Sequence, residues 1–365
     1  MKICLDTQTF WRKLIYMRAM RLVNLFVVLF VVTACAQTVV DSAGIKSGHH
    51  TNEGFRNIPD VETASSKGVM FVLRRIWGSA FHPSVPLDHQ VPENLAISEF
   101  EKLSGNNTIT WLGHSTFLLR MGGKNILTDP FLTNRASPFS FVGGVTRYVS
   151  PGITINNLPG IDIIIVSHNH YDHLDQHTVC ALSNKEDISV FIPLGLKSIF
   201  SGCGYKKIHE LDWWMEAHVD ELNIVALPAV HDSGRGLMDK DETLWSSWAI
   251  IIGDKKYYFG GDTGYSPVFR DIGSLYGAFD LAIVPIGAYE PRKLMWMSHV
   301  TPEEAIQIGI DINAKTLVGG HWGTIELSDE DHWEPPTRFK SAGKSAGMDA
   351  NSIWVMKVGE TKILP

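Results

Sequence analysis

The heptad Ser167-His168-Asn169-His170-Tyr171-Asp172-His173 gathers three imidazoles and one carboxylate. Residues two apart in an extended loop point the same way, so His168 and His170 can grip one metal ion together. Asp172 and His173 lie just beyond and can address a second. A lone histidine in such a loop caps a helix or faces water, whereas this density of metal-type side chains points to a bound metal. Free imidazoles and a carboxylate suit zinc or iron, and two ligand groups side by side suit a two-metal hydrolytic site.

The elements that must position these groups follow from the apolar pattern. Ile161–Val166 is short, β-branched and apolar but for Asp162, and it reads as a strand buried on both faces that ends at the cluster. Thr108–Leu112, Thr116–Arg120 and Asn125–Thr128 read as a β-meander turning at Gly113-His114-Ser115 and Gly122-Gly123. His114 in its turn reads as structural. A helix is expected near Gln176–Leu182, and strands at Ser189–Ile192 and Asn223–Leu227, the latter running into His231. A second hairpin, Ser247–Ile252 and Lys255–Phe259, ends at Asp262 between glycines. Asp280–Pro285 and Thr316–Val318 are further strands, and His321 follows the last. Thr301-Pro302-Glu303-Glu304 has the spacing of a capping box with proline in the first turn. Each metal-ligand candidate thus lies past a strand, and meander followed by αβ units occurs twice. That predicts an α/β sandwich of two mixed sheets with helices outside and one site along a shared edge.

The chain has 365 residues, 44% of them hydrophobic, enough to bury a large core. A net charge of −7 offers no basic field for nucleic acid, which argues against a nuclease. The four cysteines, at 4, 35, 180 and 203, show no Cys-x-x-Cys spacing, so neither a zinc knuckle nor an evident disulfide frame is expected. Arg18 and Arg21 precede the apolar run Leu22–Val32, which is short for a membrane span and right for a signal-peptide core. It closes in Val32-Thr33-Ala34-Cys35, which resembles the lipobox of bacterial lipoproteins. The resemblance implies cleavage after residue 34, lipidation of Cys35 and a place in the cell envelope, on the outer membrane by the residue that follows. Residues 35–66 read as a flexible tether in which His49-His50 are inert. Residues 67–107 read as an N-terminal helix around Val69–Trp77 and a proline-marked connector, and 108–365 as the catalytic body.

Taken in order, His168, His170, Asp172, His173, His231, Asp262 and His321 resemble the signature of the metallo-β-lactamase superfamily. From Trp111 to Pro336 the chain is similar to N-acylphosphatidylethanolamine-hydrolysing phospholipases D, through Trp111-Leu112-Gly113-His114-Ser115, Leu127-Thr128-Asp129-Pro130, His168–Asp175, Tyr289-Glu290-Pro291-Arg292, His299–Ala305, His321-Trp322-Gly323-Thr324 and Glu334-Pro335-Pro336. It departs from them in Ser115, where alanine is more usual, and in the lipoprotein leader.

This resemblance implies the αββα sandwich and two zinc ions, one held by His168, His170 and His231, the other by Asp172, His173 and His321, with Asp262 bridging. It also implies hydrolysis of a phosphodiester to phosphatidate and an alcohol, with Asp172 orienting the attacking water. His299, just before a helix N-terminus, is the expected group for stabilising the transition state or protonating the leaving alkoxide. Arg292 is expected to meet phosphate and Tyr289 to line the same loop; Leu294–Met297 reads more plainly as a buried core strand, with the lining of an acyl channel or contact with a bilayer as the alternative. A lactonase or other ester hydrolase on the same metals is the alternative, and a homodimer is left open.

Overall fold

The computed structural model describes residues 40–41, 48–59, 82–139, 142–236 and 238–365. The expected signal peptide, Cys35, most of the tether and the Val69–Trp77 helix lie outside the described residues.

The strands in chain order are β1 (Val40–Asp41), β2 (Thr108–Gly113), β3 (Thr116–Met121), β4 (Lys124–Thr128), β5 (Arg135–Ala136), β6 (Val145–Thr146), β7 (Ile163–Ile165), β8 (Ser189–Pro193) and β9 (Lys207–Leu211). They continue with β10 (Met215–Val219), β11 (Leu222–Leu227), β12 (Ser247–Ile252), β13 (Lys255–Phe259), β14 (Leu281–Pro285), β15 (Leu317–Gly320), β16 (Ile353–Trp354) and β17 (Thr361–Ile363). One sheet has the order β17-β2-β3-β4-β7-β8-β9 and the other β1-β10-β11-β12-β13-β14-β15-β16. Each begins with antiparallel hairpins and passes to parallel pairing, at β4 with β7 and at β13 with β14. These are the two mixed sheets foreseen, one for each repeat of meander and αβ units.

The run through β7 shows why it carries no polar alternation. Ile163 and Ile165 belong to the large core that also holds Ile224, Trp248, Ile250 and Ile283 of the other sheet, while Ile164 and Val166 join the smaller core with Leu174, Val179 and Phe200. Successive side chains of a strand point to opposite faces. A strand covered by a sheet on one face and by helices on the other must therefore be apolar throughout. The turn between β3 and β4 is the two-residue Gly122-Gly123, with φ of 56° and 74°. Glycine suits this turn because both positions need left-handed backbone.

Seven helices are defined among the described residues: α1 (Glu93–Lys102), α2 (Gln176–Ala181), α3 (Lys197–Gly202), α4 (Val268–Tyr276), α5 (Arg292–Met295), α6 (Pro302–Asp311) and α7 (Glu334–Ser345). At the start of α6 Thr301 accepts from the Glu304 amide and Glu304 accepts from the Thr301 amide, completing the predicted box. Part of the segment expected as connector is α1, which buries Ala96 and Phe100. Part of the expected tether is packed as well: His49 and Asn57 are buried, and the Phe55 amide donates to the Asp241 carbonyl at 2.9 Å. Leu294-Met295-Trp296-Met297, for which a core strand was the plainer reading, contains the end of the short helix α5 and exposes Trp296.

The cysteine reading is corrected too. Cys180 at the end of α2 and Cys203 just after α3 form a disulfide across 23 residues of sequence. Their spacing gives no sign of it, because the turn of chain that joins them in space is made by β8 and the two helices. Replacing both cysteines by serine is expected to cost about 3 kcal/mol, the usual effect of opening a loop of this size, measured as a lower denaturant midpoint together with a steeper slope, since the freed unfolded chain exposes more surface.

Candidate metal centre

Six chain segments, the β2–β3 turn with His114 among them, deliver the polar residues to one end of the sandwich. The loop after β7 carries His168, His170, Asp172 and His173; β11 leads to His231, β13 to Asp262 and β15 to His321; the segment entering α6 carries His299. Two backbone positions make the convergence possible. Gly261, at φ 58°, passes so close that a Cβ there would lie 2.3 Å from the Ser167 Cβ. His321 holds φ 58° without being glycine, the kind of local strain that a binding site retains when the surrounding packing fixes it.

The ligand atoms form two groups sharing one carboxylate. In the first, the His170 Nδ1 lies 2.8 Å from the His168 Nε2 and 3.3 Å from the His231 Nε2. Three ring nitrogens converging on one point cannot all be satisfied by donating to each other, but all can present lone pairs to a cation. In the second, Asp172, His173, His321 and His114 offer ligand atoms within 4.8 Å of one another. Asp262 lies between: its Oδ2 is 3.1 Å from the His173 Nε2, 3.0 Å from the His321 Nε2 and 3.9 Å from the His231 Nε2. Among the buried atoms lacking any hydrogen-bond partner are the His173 Nε2, the His321 Nε2, the Asp262 Oδ1 and the His299 Nδ1. Buried polar atoms are rarely left unpaired, and here the unpaired ones face a common centre. The donor set fits two divalent transition ions.

The electrostatics agree with that fit. Burial by itself raises the Asp172 and Asp262 carboxyls, but the His173 charge beside both, with the His114 ring bonded to Asp172 and the His321 charge facing Asp262, holds them well below the ordinary range. His168 is pushed well down by burial and by its neighbouring imidazoles, which keeps it neutral. Burial also works against charge on His321, yet Asp262 and Asp172 draw it up to about 9. The buried carboxylates therefore demand positive charge from whatever faces them, and metal cations supply it.

Outer partners fix the ligands. The Asp129 Oδ2 accepts from the Ser167 hydroxyl and pairs with the His173 Nδ1, both at 2.6 Å, and the His168 Nδ1 meets the Ser167 Oγ at 2.9 Å. The His231 Nδ1 lies 2.9 Å from the Ser298 carbonyl oxygen. Such partners set which ring nitrogen is free to bind metal.

His114 corrects the sequence reading: it reaches into the centre, its Nε2 2.9 Å from the Asp172 Oδ2, while burial holds its pKa down to about 3. Tyr289 is also corrected. It is fully buried, donates its hydroxyl to the Glu334 carboxylate at 2.8 Å and packs under the Arg338 guanidinium, so it belongs to the core. Arg292 is not free for phosphate, since its guanidinium donates to the His299 carbonyl and to the Glu304 carboxylate. It positions His299 instead. His299 does face the centre, its Nδ1 3.8 Å from the Asp262 Oδ2, and burial lowers its pKa to about 3.

Asn57 is the residue that sequence reasoning missed outright. Its Oδ1 accepts from the His231 amide at 3.0 Å and its Nδ2 donates to the His231 carbonyl at 2.8 Å, a two-point clamp on the backbone of a metal-ligand candidate. The Trp245 indole N–H also donates to the Asn57 Oδ1 at 3.1 Å. Nothing in the sequence around position 57 marks it, because its partner lies 174 residues away. Asn57→Ala is expected to weaken metal affinity about tenfold, the lower end of what outer partners contribute, read by competition with a chromophoric chelator while the far-ultraviolet dichroism stays unchanged.

Residues 124–322 match the family profile described as the Beta-lactamase superfamily domain. An uncharacterised protein of Mycobacterium tuberculosis is 39% identical over 73% of this chain and 70% of its own length. The N-acyl-phosphatidylethanolamine-hydrolyzing phospholipase D 1 of Caenorhabditis elegans is 36% identical over 75% of this chain and 81% of its own length. The metallo hydrolase Igni18 of Ignicoccus hospitalis is 22% identical and superimposes with a TM-score of 0.52 over 70% of this chain and 97% of its own. That likeness supports the αββα sandwich. With a profile across more than half of the chain and relatives above 30% identity over most of theirs, the protein belongs to the beta-lactamase superfamily, as one of its metal-dependent hydrolases.

Proposed function

We propose that the protein is a zinc-dependent phosphodiesterase of phospholipase D type, cleaving N-acylphosphatidylethanolamine-like phospholipids to phosphatidate and an N-acylethanolamine. The observation that carries the reading is the pair of ligand groups joined by Asp262 with the unpaired Nδ1 of His299 facing the same centre. The relative from Caenorhabditis elegans, named for this reaction and matched over most of its length, lends support. A lactonase or other ester hydrolase on the same centre is the second reading. It is favoured by the groove beside His114 and His321, whose mixed lining includes Glu326, Glu330 and His332 along with Trp322 and Leu327 and so is not dedicated to an acyl chain.

Two divalent cations at this centre would polarise the phosphoryl oxygens and bring the pKa of a shared water toward neutrality. The protein's own groups do the rest. Asp172, held by His114, is placed to accept a hydrogen bond from the attacking water and orient it. Burial holds the His299 pKa down to about 3, so the ring is neutral near pH 7 with no imidazolium proton to give the alkoxide, and its part is to donate an N–H hydrogen bond to oxygen carrying developing charge. Arg292 and Glu304 hold the segment that carries it. Leu294, Met295 and Met297 are half-buried and Trp296 is exposed, an apolar edge next to His299 for an acyl chain.

The envelope location belongs to the same proposal. Cysteine pairing is characteristic of oxidising compartments, and the Cys180–Cys203 bond fits export through the leader and anchoring at Cys35. Among the described residues no helix is long and apolar enough to cross a membrane.

Purified full chain in detergent, loaded with zinc, should release an N-acylethanolamine from N-acylphosphatidylethanolamine, with Asp262→Asn slower by about a hundredfold or more, since a shared ligand outweighs an outer partner. Turnover of lactones without phospholipid cleavage would transfer the assignment to the ester-hydrolase reading.

A further inference from the structure

A second cluster of metal-type side chains lies away from the centre just described. His49 and His50, on the packed segment 48–59, both aim their Nε2 atoms at the two oxygens of Asp212: His49 at Oδ1 and His50 at Oδ2, each at 2.6 Å. The three ligand atoms lie within 4.8 Å of one another. Nothing in the catalytic reading uses them.

Several features favour a cation here over a plain contact. The rings are held by packing that does not involve the carboxylate: His49 stacks on Trp213 with centroids 4.1 Å apart, and His50 meets the edge of Phe55 at 5.1 Å. The Trp213 backbone amide donates to the Asp212 Oδ1 at 2.7 Å, fixing the carboxylate. The ligands are thus oriented before any ion arrives. His49 closes the inner side with 0% exposure, while the His50 side chain is 50% exposed, so water can complete the coordination shell and the ion can exchange. Two imidazoles and one carboxylate select a first-row transition ion over magnesium or calcium, which prefer all-oxygen shells.

We propose that His49, His50 and Asp212 form a third, outer site for a divalent transition cation, which staples segment 48–59 to the body of the protein. Two of its ligands come from the N-terminal segment and one from the chain more than 160 residues later. The same segment carries Asn57, which clamps His231. An ion at the outer site therefore holds the strap that holds a catalytic ligand. The proposal stands whether the catalytic substrate is a phosphodiester or a lactone.

The test is metal counting. Full-length protein dialysed to equilibrium against buffered free zinc and analysed by elemental mass spectrometry should carry three zinc ions per chain, and His50→Ala should carry two. Asp212→Asn is the companion variant: its amide can still bridge both imidazoles and keep the strap docked, but it removes the anionic ligand, and it too should carry two. Adding zinc or nickel to protein with filled central sites should raise the melting temperature of the wild type and leave both variants unmoved. Two ions in the wild type at saturation, or three in Asp212→Asn with the same nickel-induced shift, would overturn the site and leave the cluster a hydrogen-bonded latch.

Discussion

Two carboxylates and a ring of imidazoles are buried together where the ends of the two sheets meet, and the rest of the molecule is arranged to make that tolerable. Asp172 and Asp262 cannot remain charged in such a place without compensation, since taking a carboxylate out of water costs several kcal/mol. The surrounding nitrogens supply part of it, and the unpaired nitrogens and oxygens that converge on one centre are the donors through which cations would supply the remainder. The sandwich can hold this arrangement because strands end there from both sheets at once. A loop that ends a buried strand is held rigid by the packing behind it.

The constraint extends outward in layers. Asp129 and Ser167 fix the ring orientations of His173 and His168, while Ser298 fixes His231. His114 fixes Asp172 and Arg292 fixes the carbonyl of His299. None of these groups needs to touch a substrate. Their part is to hold ligand atoms in place against the mutual repulsion of like-charged groups. Arg292 illustrates how that demand overrides an appealing chemical role: a guanidinium suited to phosphate is instead shared between the Glu304 carboxylate and the His299 backbone carbonyl, tying the segment before α6 to the helix that follows it.

The N-terminal strap extends the same logic beyond the superfamily domain. Residues 48–59 precede the profile match at 124–322, yet Asn57 contributes two hydrogen bonds to the backbone of His231. The hydrolytic centre is therefore completed by a segment outside the domain that defines its family. A buried asparagine can do this because its amide presents one donor and one acceptor side by side, matching the N–H and carbonyl of a single residue.

How much was legible without the structure follows from the range of the forces involved. The strand at Ile161–Val166, the glycine hairpins and the capping box at Thr301 are local matters of periodicity and backbone preference, so the sequence by itself determined them, together with the two-sheet fold class. The sequence also placed His168, His170, Asp172, His173, His231, Asp262 and His321 after strands, and the structure draws their ligand atoms together. Tertiary structure alone decided that His114 turns inward, that Tyr289 faces Glu334, that Arg292 is occupied, that Cys180 meets Cys203 and that Asn57 reaches His231. Each of these depends on a partner far along the chain or on which way a loop side chain faces. Such partnerships are set by how the two sheets stack, and no short window of sequence encodes that.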